Sequence, residues 1–148
     1  MNRVKHSADF QIAQPAEILF PLFSAEGEKC WVPGWDYTNV MGTTDIHEDY
    51  IFISEDHDHA ASDAIWIVKR YLPSDYLVEF YKVEPENKVE IITVQWSPLS
   101  ETNTNVNVTY EYIALSDKGT EFIRNFTRQE YENFSGEWQR LLETFFAK

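Results

Sequence analysis

Apolar and polar residues alternate from Val4 to Ile12. Val4, His6, Ala8, Phe10 and Ile12 share one parity, and Lys5, Ser7, Asp9 and Gln11 share the other. A period of two predicts a half-buried strand. Pro15 then suits the first position of a helix, where its missing N–H costs nothing. The segment 16–23 presents Ile18, Leu19, Leu22 and Phe23, with a break or kink expected at Pro21. Ser24 caps a second short helix through Ala25, Glu26 and Glu28, and Cys30-Trp31-Val32-Pro33-Gly34-Trp35 reads as a turn that must bury two large rings. From Tyr37 to Ser116 the pattern is β, with strands predicted near 37–41, 50–54, 64–72, 76–83, 89–96 and 105–115. Turn-forming clusters separate them, so hairpins and an antiparallel meander follow. In the last strand Val106, Val108, Tyr110 and Tyr112 face one way and Asn107, Thr109 and Glu111 the other, which leaves one side of the sheet wet.

The period changes after Ser116-Asp117, which cap a short helix through Phe122, Ile123 and Phe126. Thr127-Arg128-Gln129-Glu130 is a capping box, and Phe126 and Tyr131 have the spacing of a hydrophobic staple. Tyr131, Phe134, Trp138, Leu141, Leu142 and Phe145 then form one stripe of a 3.6-residue helix ending near Phe146, with Glu132, Asn133, Gln139, Arg140 and Glu143 opposite. Ser135 and Gly136 are placed on the polar side, Gly136 marking a close contact or a mild bend.

These elements predict an α+β chain: a strand, two short helices, a six-strand antiparallel run and a long C-terminal helix. The 148 residues are read as one domain with no internal repeat or linker. A curved seven-stranded sheet buries its inner face under that helix. A single helix cannot fill the concavity, so the gap is a natural small-molecule site. Ten Phe, eight Tyr and five Trp make 16% of the chain, which suits a thick core or a ring-lined cavity. The net charge of -13 disfavours phosphate backbones and anionic lipid surfaces, so no nucleic-acid partner is expected. One cysteine fits a reducing compartment. No signal peptide or membrane span is expected, and a cytoplasmic protein, monomer or homodimer, is the default reading.

The element order, with Phe10-Gln11-Ile12-Ala13-Gln14-Pro15-Ala16-Glu17-Ile18-Leu19-Phe20 at the front, resembles the START/Bet v 1-like (SRPBCC) superfamily, the polyketide cyclase/dehydrase and lipid-transport group. Trp31-Val32-Pro33-Gly34-Trp35, Ile65-Trp66-Ile67-Val68, Thr109-Tyr110-Glu111-Tyr112 before Leu115-Ser116, and Tyr131, Phe134 and Trp138 are further points of similarity. The resemblance covers essentially the whole chain. It implies a helix-grip fold that holds apolar ligands in its cavity, in a group of which only some members are enzymes and which has no universal catalytic motif.

On this reading the cavity wall is Trp66, Val68, Phe80, Val108, Tyr110, Phe134, Trp138 and Leu141, with Trp31 and Trp35 near a mouth. Arg70 shares parity with Trp66 and Val68 and would orient an anionic or carbonyl group if those two face inward. If Ile65 and Ile67 face inward instead, Lys69 inherits that role. Tyr110 and Tyr112 offer hydroxyls to a ligand carbonyl, as a cyclase or dehydratase needs, or else are core tyrosines. His6 is either an inward acid or base or a satisfied strand-end histidine. Cys30 lacks a nearby histidine and reads as a buried structural thiol. Glu55-Asp56-His57-Asp58-His59, with His47, Glu48 and Asp49 upstream, carries metal-ligand residue types, but a solvated acidic turn is the preferred reading, so no metal is assigned. No phosphate loop and no Ser-His-Asp order is present, and no cofactor is implied.

Three functions remain open at this point. The chain binds an apolar or amphipathic small molecule; it is a cyclase, dehydratase or hydrolase acting on an aromatic or polyketide-like substrate; or it is an interaction module like the Hsp90-activator relatives.

Overall fold

The computed structural model describes residues 2–55 and 63–148. Strand β1 (Arg3–Ile12) is followed by helix α1 (Ala16–Leu19), a 3₁₀ turn (Phe20–Phe23) and helix α2 (Ala25–Glu28). Pro15 lies one position before the predicted one, at the N-cap, where its carbonyl accepts the N–H groups of Ile18 and Leu19. Pro21 coincides with the expected break, because the helix tightens into the 3₁₀ turn at Phe20. Ser24 caps α2 by accepting the Gly27 N–H at 2.9 Å.

Strands β2 (Tyr37–Thr38), β3 (Ile51–Ser54), β4 (Ala64–Leu72), β5 (Leu77–Glu84), β6 (Lys88–Pro98) and β7 (Thr104–Ala114) follow, then helices α3 (Asp117–Asn125) and α4 (Arg128–Phe146). The strand predicted over 37–41 is thus only two residues long. All seven strands form one curved antiparallel sheet in the order β1-β7-β6-β5-β4-β3-β2. The first strand pairs with the last and forms one edge of the sheet, His6 opposite Tyr110 and Phe10 opposite Val106. Among the described residues no helix is long and apolar enough to cross a membrane.

Helix α4 lies over the concave face beside β1. The Tyr131 hydroxyl donates to the Val108 carbonyl at 2.6 Å, and Tyr110 meets Phe134 edge to face. Arg128 and Gln139 donate to the Ser7 and Gln11 carbonyls, which occupies part of the sheet's free edge. Thr127 accepts the Glu130 N–H at 3.1 Å, so the helix starts where its cap predicts. Ser135 belongs to the buried stripe with Tyr131 and Leu142, not to the polar side. A Cβ at Gly136 would meet nothing within 4 Å, so that glycine marks no close contact. Its helix-propensity cost of about 1 kcal/mol is small beside the packing of Tyr131, Phe134 and Trp138 against the core.

The convex face is not uniformly wet. Ile53, Ile65, Val83, Val89 and Ile113 pair in an unbroken row across β3, β4, β5, β6 and β7. This explains why both faces of β4 read as apolar.

Candidate functional site

The site is built from inward positions of the sheet. On β4, Ala64, Trp66 and Val68 are buried, which settles the parity left open by the sequence. The register then slips between Val68 and Arg70, a β-bulge that turns the next side chains outward. Arg70 therefore lies opposite Glu79 on the convex face, donating to its carboxylate at 3.1 Å with its own side chain 49% exposed. The expectation that Arg70 enters the cavity fails for this reason. Lys69 also points to Glu79, at 3.3 Å. Burial pushes the Glu79 carboxyl up, but hydrogen bonds from Thr93, Arg70 and Lys69 together hold it below the usual carboxylate range.

Seven of the predicted wall residues meet around one cavity between the sheet and α4: Trp35, Trp66, Phe80, Tyr110, Phe134, Trp138 and Leu141. Phe23, Val32, Ile92 and Val94 complete its apolar lining. The ring system is held by specific donors. Trp66 Nε1 donates to Ser54 Oγ at 2.8 Å, Trp35 Nε1 to the Ala25 carbonyl at 2.8 Å, and the Trp66 and Trp35 rings meet edge to face. Trp31 stands behind the wall, donating to the Leu22 carbonyl at 2.7 Å and packing on Phe23 and Trp138. The volume open to the centre of a water-sized sphere is about 60 Å³. That is room for a few waters.

Val68, Val108 and Tyr112 are buried in the core and do not line this cavity. Tyr112 packs against Phe122 and Phe126, and burial, reinforced by Glu90, pushes its phenol far above the ordinary tyrosine range. His6 also stays out of the cavity. It stacks on Tyr131 with ring centroids 5.2 Å apart, edge-on to Tyr112 and Phe126. Desolvation, helped by the Arg128 charge, lowers its pKa against a hydrogen bond to the Phe126 backbone that raises it. Cys30 is exposed, not buried.

Of the acidic cluster, residues 56–59 lie outside the described residues. Upstream, His47 bonds the Glu48 carbonyl through Nδ1 and packs on Tyr50. Among the described residues no three His, Cys, Asp or Glu side chains are grouped to hold a metal ion.

Polar groups that the sequence reading passed over are the most distinctive feature of the site. Lys82 lines the cavity from β5, two residues beyond Phe80 and on the same parity. It is 5% exposed, with its ammonium 5.3 Å from the centre of the Trp66 ring and 3.9 Å from Glu90 Oε1. Glu90 in turn lies 3.4 Å from Lys88 Nζ, which sits 2.7 Å from Glu84 Oε1. Two lysines and two glutamates thus alternate along the inward faces of β5 and β6. Glu28, Ser54 and Glu137 are the remaining polar lining. The parity of Phe80 was the available signal for Lys82.

No family model matches the chain, and no curated protein matches it in sequence. Solved structures do match in shape. Ginseng major latex-like protein 151 from Panax ginseng has a TM-score of 0.72 at 16% identity, over 97% of this chain and 97% of its own. Norcoclaurine synthase from Thalictrum flavum, in complex with dopamine and hydroxybenzaldehyde, has a TM-score of 0.68 at 10% identity, over 96% of this chain and 87% of its own. Ara h 8.0201 has a TM-score of 0.67 at 8% identity, over 97% and 95%. At such identities the likeness establishes the fold alone, the helix grip that the order of elements predicts.

Proposed function

We propose that this chain binds an apolar or amphipathic small molecule in the cavity between the sheet and α4. The observation that carries the reading is the enclosure itself: rings from α4, from three strands and from the segment around Trp35 converge without filling the space between them. Aromatic walls of this kind supply large contact area with little rotamer entropy to lose. Pockets for drug-sized ligands run to roughly 300–1,000 Å³, so the wall must open on binding. The α4 side chains Phe134, Trp138 and Leu141 are only partly buried and form the side that yields. A cytoplasmic setting belongs to this reading, supported by the single free thiol of Cys30.

The test is a panel of fatty acids, sterols and aromatic polyketides, followed by tryptophan fluorescence and melting temperature. Trp35, Trp66 and Trp138 line the cavity, so a bound ligand changes the emission. A panel that leaves both signals unchanged removes the reading.

A second reading, an enzyme of the same shape acting on an aromatic or polyketide-like substrate, is favoured by the convergence of Lys82, Tyr110 and Ser54 on one cavity. Turnover of a cavity-bound ligand, lost in Lys82→Met with binding retained, would select it over simple binding.

A further inference from the structure

We propose that Lys82 is the polar anchor of the cavity and that the bound molecule is an uncharged aromatic compound presenting a carbonyl oxygen to it. The inference rests on the binding function proposed above and specifies the ligand's chemistry.

An ammonium carries three N–H donors and no acceptor. Lys82 is 5% exposed and faces the cavity, yet among the described residues it makes no hydrogen bond. Its one ion pair, to Glu90 Oε1 at 3.9 Å, is too long to be a hydrogen bond, and the Trp66 ring takes up one side of the charge. A charged donor that faces a cavity and has no protein acceptor favours an acceptor placed in that cavity. An acceptor oxygen on a cavity ligand supplies what the protein does not.

Charge decides which acceptor. The inward positions of β5 and β6 hold Lys82 and Lys88 against Glu84 and Glu90, two charges of each sign. A carboxylate ligand beside Lys82 would add a third negative charge next to Glu90, in a low-dielectric interior where like charges repel strongly. Glu28 and Glu137 also line the cavity, and the chain as a whole carries -13. A ketone or aldehyde oxygen accepts from Lys82 and leaves the balance untouched. The walls of Trp66, Phe80, Tyr110 and Phe134 favour a planar ring as the rest of the molecule.

Three single-ring probes of similar shape isolate these terms: acetophenone, ethylbenzene and benzoate. They are titrated at pH 7 into the whole chain and followed by the Trp66 indole N–H resonance. The expected order is acetophenone tightest, by roughly tenfold over ethylbenzene, as for a net hydrogen bond to a charged donor, with benzoate weakest. In Lys82→Met the acetophenone advantage disappears while ethylbenzene still binds. The double variant Lys82→Met/Glu90→Gln keeps the buried charges in balance and gives the same readout if the single variant does not fold. Equal affinities for acetophenone and ethylbenzene, or an advantage that survives in the variants, overturns the anchor. Benzoate binding more tightly than acetophenone overturns the preference for an uncharged ligand. Failure of all three probes to bind counts against the cavity function itself and is distinguishable from both.

Discussion

Lys88 Nζ lies 2.7 and 3.1 Å from the two carboxylate oxygens of Glu84, across the tight turn that joins β5 to β6, and both side chains are fully buried. The same ammonium is 3.4 Å from Glu90 and 4.3 Å from the centre of the Phe122 ring. It is shared by two carboxylates, so its removal leaves more than one charge short of compensation. Lys88→Met is expected to destabilise by about 3–5 kcal/mol, the usual cost of breaking a buried ion pair from one side. Lys88→Met/Glu84→Gln removes one charge of each sign and recovers a large part of that loss. Urea denaturation of the two variants checks this, and equal midpoints for both contradict it.

Helix α3 sits on the same turn through Gly119. A Cβ there would fall 2.0 Å from the Asn87 carbonyl oxygen, and that carbonyl is fixed by the Leu115 N–H at 2.8 Å. Neither partner is a flexible side-chain tip, so Gly119→Ala must displace the helix from the sheet. We expect a loss of about 1–3 kcal/mol, as for other over-packed contacts. Phe122, which covers Lys88, shifts with the helix. A lowered denaturation midpoint with an unchanged slope is the expected measurement.

Much of this fold is legible in the alternation of residues along the chain. The inward faces of β1 and β7 and the stripe of α4 follow from periods of two and 3.6, and the Ser24, Ser116 and Thr127 caps all accept the expected N–H groups. The buried charges were not legible, because a lysine or glutamate at an inward position is assigned to solvent unless its partner is known. The partners of Lys82 and Lys88 depend on the β5–β6 register, in which Lys82 faces Glu90 and Glu84 faces Lys88. Arg70 was misplaced by a backbone event: the bulge after Val68 changes parity, and no hydrophobic pattern announces it. Ser135 was misassigned because a small polar residue carries no apolar signal, although it stands four residues after Tyr131.

Gly136 offers the opposite test to Gly119. It lies inside α4, and a Cβ there has open space on every side. Gly136→Ala is expected to stabilise the protein by about 0.5–1 kcal/mol, mainly by restricting the unfolded chain. For a domain of this size that is a rise in melting temperature of roughly 1–4 °C. A fall would mean that the groove between β1 and α4, which Gly136 lines, is tighter than the geometry implies.

His6 sets a pH dependence whose sign follows from its surroundings. The ring is packed by Tyr112 from β7, Tyr131 from α4 and Phe126 at the end of α3, and the nearby charge is Arg128. Both tyrosines have phenol pKa values pushed up, so they stay neutral. Desolvation first, and Arg128 second, lower the histidine's pKa below its usual 6.5. The unfolded chain therefore binds the proton more readily than the folded one. The contribution is complete above about pH 6.5 and is lost as pH falls through the folded pKa. Glu26 and Glu79 have carboxyls held below the usual 4.5, so their losses begin at lower pH. The melting temperature is expected to fall between pH 7 and pH 5 in the native chain and to fall less in His6→Phe, which keeps a ring on Tyr131 without a titrating nitrogen. Identical pH profiles for the two proteins would show that His6 does not titrate differently in the folded and unfolded states.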